Sequence, residues 1–303
     1  MTAQPPLVSV LITAYNRQQY IRQAISSVLA STYQHIEVIV CDDASTDDTL
    51  AIARQIAQMD ARVTVLANPQ NLGDYANRNK AAAAATGKYL KYLDSDDYIY
   101  PHSIAILVAY MEQHPDAGYA FCDNAVQDNE QPFPVQYSPA EAFKKHFLQD
   151  GLFYAGPGGT IIRRSVFVQV QGFSGKRFFG DTELLMKIAL LHPVLKVQPA
   201  LIWWRIHQEQ EAAQERKQPV IIAERYRLMS SFLQQSPLSP AEKKKAQLVL
   251  DKLMARNIWR YGIAAMHIGN TRAMLHAAGF SVTDLRKAFY IKNKVKKMLG
   301  TAS

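Results

Sequence analysis

The sequence predicts an α/β protein: a mostly parallel sheet flanked by helices, followed by a C-terminal helical annex. Three observations lead there. Short apolar runs alternate with helical stripes through the first half of the chain. Those runs are nearly continuous rather than alternating, as strands buried on both faces are. Several of them end in polar, acid-rich segments, and ligands of such sheets bind beyond the C-terminal strand ends.

The elements follow in order. Val8 to Thr13 (VSVLIT) is the first strand, and Gln18 to Ala30 a helix with apolar Ile21, Ala24, Ile25, Val28 and Leu29 on one stripe. Ile36 to Cys41 is the second strand. Thr46 is the expected N-cap of a helix to about Met59. Val63 to Ala67 is the third strand, and Asp74 to Thr86 an alanine-rich helix that Gly87 is expected to stop. Tyr89 to Leu93 is the fourth strand, Pro101 opens the next helix, and Tyr119 to Cys122 is the fifth strand. The stretch from Asp123 to Gly158 is irregular. Asp181 to Leu191 reads as a helix and Val194 to Trp204 as one strand. From Gln208 the pattern is helical, with Ser239-Pro240-Ala241-Glu242 a helix start. The expected division is 1–207 for the sheet domain and 208–303 for the annex.

At 303 residues, with 48% hydrophobic and 20% charged, the chain has the composition of a soluble globular protein with a sizeable core. Cys41 and Cys122 sit in apolar runs without a CxxC partner and read as buried thiols in a reducing compartment. Met1 to Pro6 has no signal-peptide layout, and no run reaches the ~18 apolar residues of a membrane span. A cytoplasmic protein, at most peripheral on the inner face of a membrane, is expected. The net charge of +8 suits anionic partners such as nucleotides.

Asp94-Ser95-Asp96-Asp97, directly after a buried strand, carries the strongest chemical signal. Three carboxylates within four residues repel one another unless a cation neutralises them. Mg²⁺ and Mn²⁺ prefer such oxygen ligands and share them with diphosphates. An acidic turn or helix cap is the plainer reading. Asp42 or Asp43, after the second strand, can accept hydrogen bonds from a base or a ribose. After the first strand, Tyr15 can stack on a base and Thr13 can offer its hydroxyl.

Taken together, VSVLITAYNRQQYIRQAISSVLASTYQHIEVIVCDDASTDDT and NLGDYANRNKAAAAATGKYLKYLDSDD resemble glycosyltransferase family 2, the inverting nucleotide-sugar transferases of GT-A (Rossmann-like) fold. The resemblance runs from roughly Val8 to Trp204. It implies that Thr13, Tyr15 and Asp43 line a nucleoside pocket, with Asp43 reading the base and Asp42 supporting it. Asn71 and Gly73 fall on the family's N-x-G turn, and Arg78 where many members carry a basic residue facing the donor. Asp94 to Asp97 overlay the DxD-type motif, with Asp96 and Asp97 implied as metal contacts and Asp94 and Ser95 nearer the donor. Asp181 aligns with the catalytic base, Gly180 replaces the acid expected before it, and Glu183 is the fallback. Arg205 and His207 match an R-x-H close that makes His207 a further candidate metal ligand. The Q-x-x-R-W signature of processive polymerases is missing, so addition of a single sugar is expected. The implied cofactors are a divalent metal, Mn²⁺ or Mg²⁺, and a nucleotide-sugar, most simply a UDP-sugar. The implied acceptor is a glycan or a lipid-linked sugar in surface polysaccharide biosynthesis.

The segment Phe280 to Leu299 carries Arg286, Lys287, Lys292, Lys294, Lys296 and Lys297 among aromatics. It reads either as an interfacial helix on an anionic membrane or as a solvated helix on its own annex. Three rival functions fit the sequence less well. A sugar-nucleotide pyrophosphorylase needs a glycine-rich loop where Ala14-Tyr15-Asn16-Arg17 stands. A silent nucleotide-sugar-binding assembly partner does not need Asp94, Asp96, Asp97 and Asp181 intact. Nucleic-acid binding lacks any recognisable module, and the candidate ligand sites are acidic.

Overall fold

The computed structural model describes residues 4–122, 131–206, 219–263, 268–281 and 283–284. The chain packs as two compact units, Met1–Ala142 with Leu152–His207, and Phe143–Gly151 with Gln208–Ser303.

The first unit is built on an eight-stranded sheet. Its strands are β1 (Val8–Ala14), β2 (Ile36–Asp42), β3 (Val63–Ala67), β4 (Tyr89–Asp94), β6 (Tyr119–Cys122), β7 (Val135–Tyr137), β8 (Thr160–Arg163) and β9 (Val194–Val197), in the spatial order β3-β2-β1-β4-β8-β6-β9-β7. β5 (Tyr98–Ile99) and β10 (Ile202–Trp203) form a separate antiparallel pair. The strands β3, β2, β1 and β4 are mutually parallel, so their C-terminal ends share one edge. There Thr13 lies level with Cys41 on one side and Asp94 on the other. Every residue of β1 is buried, as its nearly continuous apolar run requires.

The helices α1 (Ile21–Leu29), α2 (Thr49–Met59), α3 (Asp74–Ala84) and α4 (Ser103–Gln113) connect these strands. α1 buries Ile21, Ala24, Ile25 and Val28 at helical spacing. α5 (Pro139–Leu148), α6 (Arg164–Gln169) and α7 (Gly180–Ala189) follow. The core includes Val10, Ile12, Ile25, Val38, Val40 and Leu107. Cys41 and Cys122 are buried free thiols, and burial pushes the Cys41 thiol up to about 11.

Several local expectations give way. Within the stretch expected to be irregular, β7 and α5 form, and α4 starts at Ser103 rather than at Pro101. α2 starts at Thr49, not after Thr46, because Asp47 Oδ1 accepts from the Thr49 N–H (3.0 Å). The Thr46 N–H goes instead to Asn16 Oδ1 (2.9 Å). α3 ends at Ala84, before Gly87. Gly87 serves a close approach: a Cβ there would lie 2.7 Å from the Leu7 carbonyl and the Ser9 N–H. The run Val194 to Trp204 divides into β9 and β10, because Pro199 has no N–H for the ladder and Ala200 turns into the left-handed region (φ 64°).

The second unit is helical: α5 from Phe143 onward, α8 (Pro219–Gln235), α9 (Pro240–Ile258), a π-helical turn (Trp259–Ile263) and α10 (Ile268–Ala278). Its core joins Ala223, Met254, Ala255, Ile258 and Met274. α9 opens with the expected capping box. Ser239 Oγ accepts from the Glu242 N–H and Glu242 Oε2 from the Ser239 N–H (3.0 Å).

Candidate active site

The parallel strand ends assemble most of the residues singled out from the sequence. Asp43 follows β2 and is buried. Its Oδ1 accepts from Asn68 Nδ2 (2.7 Å) and the Leu72 N–H (2.8 Å), and its Oδ2 from the Gly73 N–H (2.9 Å). Asn71 Nδ2 donates to the Asp43 carbonyl (3.2 Å). Gly73 sits at φ 85°, a conformation that suits glycine, and opens α3. The Asp43 carboxylate thus shapes the Asn71-Leu72-Gly73 turn. Asp42 is fully buried, and its Oδ2 accepts from the Ser45 N–H (3.0 Å). Its Oδ1 is buried with no hydrogen-bond partner among the described residues, leaving an acceptor open at this edge. Thr13 is nearly buried and Tyr15 is half-exposed beside it.

The β4 end is held differently. Arg78, buried on α3, donates from Nε to Asp74 Oδ1 (2.8 Å) and from Nη2 to Asp94 Oδ1 (2.7 Å). Its Nη1 is buried without a hydrogen-bond partner among the described residues. Although burial alone would lower it, the carboxylates of Asp74, Asp94 and Asp181 hold the Arg78 guanidinium well above its usual range. Asp96 Oδ2 accepts from Arg17 Nε (3.1 Å), and the Asp96 carbonyl accepts from Arg205 Nε (2.7 Å). Ser95 is buried between these acids. Asp97 is buried and its Oδ1 accepts from the Arg205 N–H (3.0 Å). Burial first, then the neighbouring Asp94, and to a lesser degree Asp96, push the Asp97 carboxyl up to about 7.

Asp181 stands in the first turn of α7, where the helix dipole favours an acid. It lines a small, tight cleft together with Tyr92, Thr160, Phe173 and Leu184. Glu183, the fallback, is buried and engaged by Lys176 Nζ (2.8 Å) and Ser174 Oγ. Gly180 has a steric reason. A Cβ there would lie 2.5 Å from the Tyr75 ring, which stacks on Phe173 with centroids 5.1 Å apart. The ring fills the place of the acid that the family resemblance leads one to expect.

Arg17, Tyr75 and Lys91 were not singled out from the sequence. Lys91 is fully buried in β4 and donates to the carbonyls of Tyr92 (2.9 Å) and Gly158, tying the glycine-rich 156–159 loop to the strand before the acidic cluster. Burial lowers its ammonium to about 8. A lysine in the middle of an apolar strand is the signal that could have found it. His207 lies outside the described residues, as does the basic tail from residue 285. Among the described residues no three His, Cys, Asp or Glu side chains form a ready metal-binding group.

A parallel sheet with Asp42 and Asp43, the Asn71–Gly73 turn and Asp94 to Asp97 along one edge, and Asp181 at the start of α7, defines a GT-A glycosyltransferase. Residues 9–170 match the family described as glycosyl transferase family 2, and the chain belongs to it. It is 29% identical over 219 residues to an uncharacterized glycosyltransferase of Haemophilus influenzae, covering 69% of this chain and 68% of that one. It is 42% identical over 106 residues to the Escherichia coli UDP-Glc:alpha-D-GlcNAc-diphosphoundecaprenol beta-1,3-glucosyltransferase WfaP, covering 35% of this chain and only 41% of that relative's length. The fold matches Staphylococcus aureus TarS 1-349 in complex with UDP-GlcNAc, with a TM-score of 0.66 and 17% identity, over 95% of this chain and 91% of that one.

Proposed function

We propose that this glycosyltransferase moves a single hexosyl residue, with inversion and with the help of a divalent metal, from a UDP-sugar to a hydroxyl of a glycan or lipid-linked acceptor in surface polysaccharide biosynthesis. One observation carries the reading. Arg78 joins the two acidic groups that such a transfer needs, pairing with Asp94 of the strand-end cluster while its charge is also felt by Asp181 on α7.

The nucleoside meets Thr13, Tyr15 and the open Oδ1 of Asp42. Asp43, through its three hydrogen bonds, sets the Asn71–Gly73 turn beside them. What supports a cation at β4 is the crowding of Asp97 by Asp94 and Asp96, which with burial raises its carboxyl to about 7, a charge clash that a metal would relieve. Asp96 and Asp97, with His207, would hold Mn²⁺ or Mg²⁺, which supplies charge neutralisation for a departing diphosphate. Arg17 and Arg205 already bring positive charge to the same acids. Asp181 takes the proton of the attacking hydroxyl. The acceptor oxygen bonds to the anomeric carbon as the bond from that carbon to the phosphate oxygen breaks, through an oxocarbenium-like state. Displacement from the face opposite the leaving group inverts the centre. The names of WfaP, with its diphosphoundecaprenol-linked acceptor, and of TarS, crystallised with UDP-GlcNAc, support the donor and acceptor classes.

The test is nucleotide-sugar transfer and hydrolysis over a donor panel with Mn²⁺, Mg²⁺ or EDTA, for the native chain and Asp181→Asn. Release of one nucleoside diphosphate should need metal. It should fall by about 10²–10⁴-fold in Asp181→Asn while donor binding persists. Failure to bind any donor, with or without metal, would overturn the reading.

A further inference from the structure

We propose that the outer face of α9 and the π-helical turn after it is a docking surface for an anionic lipid bilayer. α9 packs on the core of its unit through Ala246, Met254, Ala255 and Ile258. The opposite side is neither ordinary solvated surface nor a second core stripe. Lys245, Lys252, Arg256 and Arg260 follow one another along it at helical spacing, and among the described residues none of the four has an acidic partner. Leu248, Val249, Leu253 and Trp259 lie between them on the same face. Leu253 is 54% exposed and Trp259 47%, large apolar side chains that a solvated helix does not need. The acid nearest this face at the start of the helix, Glu242, is occupied by its capping box and by Lys144 (3.5 Å). Asp251 turns away and accepts from Tyr226 Oη (2.7 Å) and Gln247 Nε2 (2.7 Å).

Charge complementarity selects the occupant. A second copy meeting this face through the same patch would set cation against cation. The chain's own tail carries Arg286, Lys287, Lys292, Lys294, Lys296 and Lys297 and would be repelled in the same way. A bilayer containing acidic phospholipid offers both things the face lacks: anionic headgroups for the lysines and arginines, and a boundary where Leu and Trp leave water. The long basic stems can lie along the apolar side chains while their charges stay at the headgroups. The inference does not depend on the reaction or on the sugar donor, so it stands or falls apart from the proposed transfer.

The experiment is co-sedimentation of the full chain with phosphatidylcholine vesicles, with and without phosphatidylglycerol. Three variants are compared with the native chain: Lys245→Gln/Lys252→Gln/Arg256→Gln, Leu253→Ser/Trp259→Ser, and Lys292→Gln/Lys294→Gln/Lys296→Gln/Lys297→Gln. All altered α9 residues are partly or largely exposed, and circular dichroism checks that the fold persists. The native chain should bind only the anionic vesicles and should release as salt is raised. Each charge removed from α9 should weaken binding roughly fivefold, about a hundredfold for the triple variant. The apolar double variant should also weaken it, and the tail variant should keep a graded part of it. Equal affinity for neutral and anionic vesicles, or no binding, overturns the proposal. So does binding that survives both α9 variants but vanishes with the tail charges. Loss of self-association in the α9 variants with vesicle binding unchanged would make the face a contact between copies and would equally overturn it.

Discussion

Two acidic strand ends stand side by side on this sheet, and they handle their charge in opposite ways. At the end of β2, Asp43 is satisfied by neutral donors from the neighbouring loop: the Leu72 and Gly73 N–H groups and the Asn68 amide. At the end of β4, Asp94, Asp96 and Asp97 face one another and lean on Arg78, Arg17 and the Arg205 backbone, partners from distant parts of the chain. Asp97 is left with a carboxyl raised to about 7. A carboxylate ringed by N–H donors organises backbone. A carboxylate crowded by its own kind leaves negative charge in search of a cation. The same sequence signal, acids directly after a parallel strand, thus yields a donor-ringed carboxylate in one place and a mutually crowded cluster in the other.

The contrast predicts a dissociation between activity and stability. Asp97→Asn keeps an oxygen to accept the Arg205 N–H but removes one of the mutually repelling charges. Metal-stimulated transfer should fall by about 10²–10³-fold, while the melting temperature holds or rises. A melting temperature that drops together with activity would place Asp97 with Asp43 as scaffold. Asp43→Asn should do the reverse first. Replacing a carboxylate oxygen with an amide sets donor against donor at the Asn71–Gly73 turn, a loss of about 2–3 kcal/mol. Thermal unfolding should register it as a fall of several degrees, with donor binding weakened as the turn loosens. An unchanged melt would mean that the three hydrogen bonds to Asp43 do not shape the site.

The order of elements was legible because each strand of the first half is a compact apolar run and each connecting helix shows its stripe. The acids of the site were legible because they cluster in sequence. What held them was not. Arg17 reaches Asp96 across 79 positions and Arg205 reaches the Asp96 carbonyl across 109, and no local pattern marks such pairs. Glycines mislead for a related reason. Gly87 looks like a helix stop, and only the approach of Leu7 and Ser9 reveals its purpose. Gly180 looks like a missing acid until the Tyr75 ring is placed over it. The run from Val194 reads as one strand on hydrophobicity alone, although Pro199 was there to break it.

Gly180 allows the comparison to be extended to α7. Gly180→Ala would press a methyl against a ring already stacked on Phe173, so relief by movement is limited. A destabilisation of about 1–2 kcal/mol is expected, read by urea unfolding, and Tyr75→Ala in the same chain should remove most of that increment. Additive losses in the double variant would show that Tyr75 does not dictate Gly180.

The smallest expected effect tests whether the scaffold rule of β2 holds at the other end of the same strand. Glu37, near the start of β2, accepts from Ser9 Oγ (2.5 Å), the Thr86 N–H (2.7 Å), Thr86 Oγ1 (2.9 Å) and the Gly87 N–H (3.1 Å). Burial draws its pKa upward, but the hydrogen bonds from Ser9, Thr86 and Gly87 outweigh it and leave the carboxyl below its usual range. A glutamate whose folded pKa is depressed stabilises fully above the unfolded value, about 4.3, and loses that contribution as pH falls through the folded value. Glu37→Gln should therefore cost about 1 kcal/mol or less at pH 7, and the gap to the native chain should close as urea unfolding is repeated toward pH 3. A gap that stays constant across that range would assign the effect to shape rather than charge, and the donor-ringed carboxylate would cease to be the organising device of this strand.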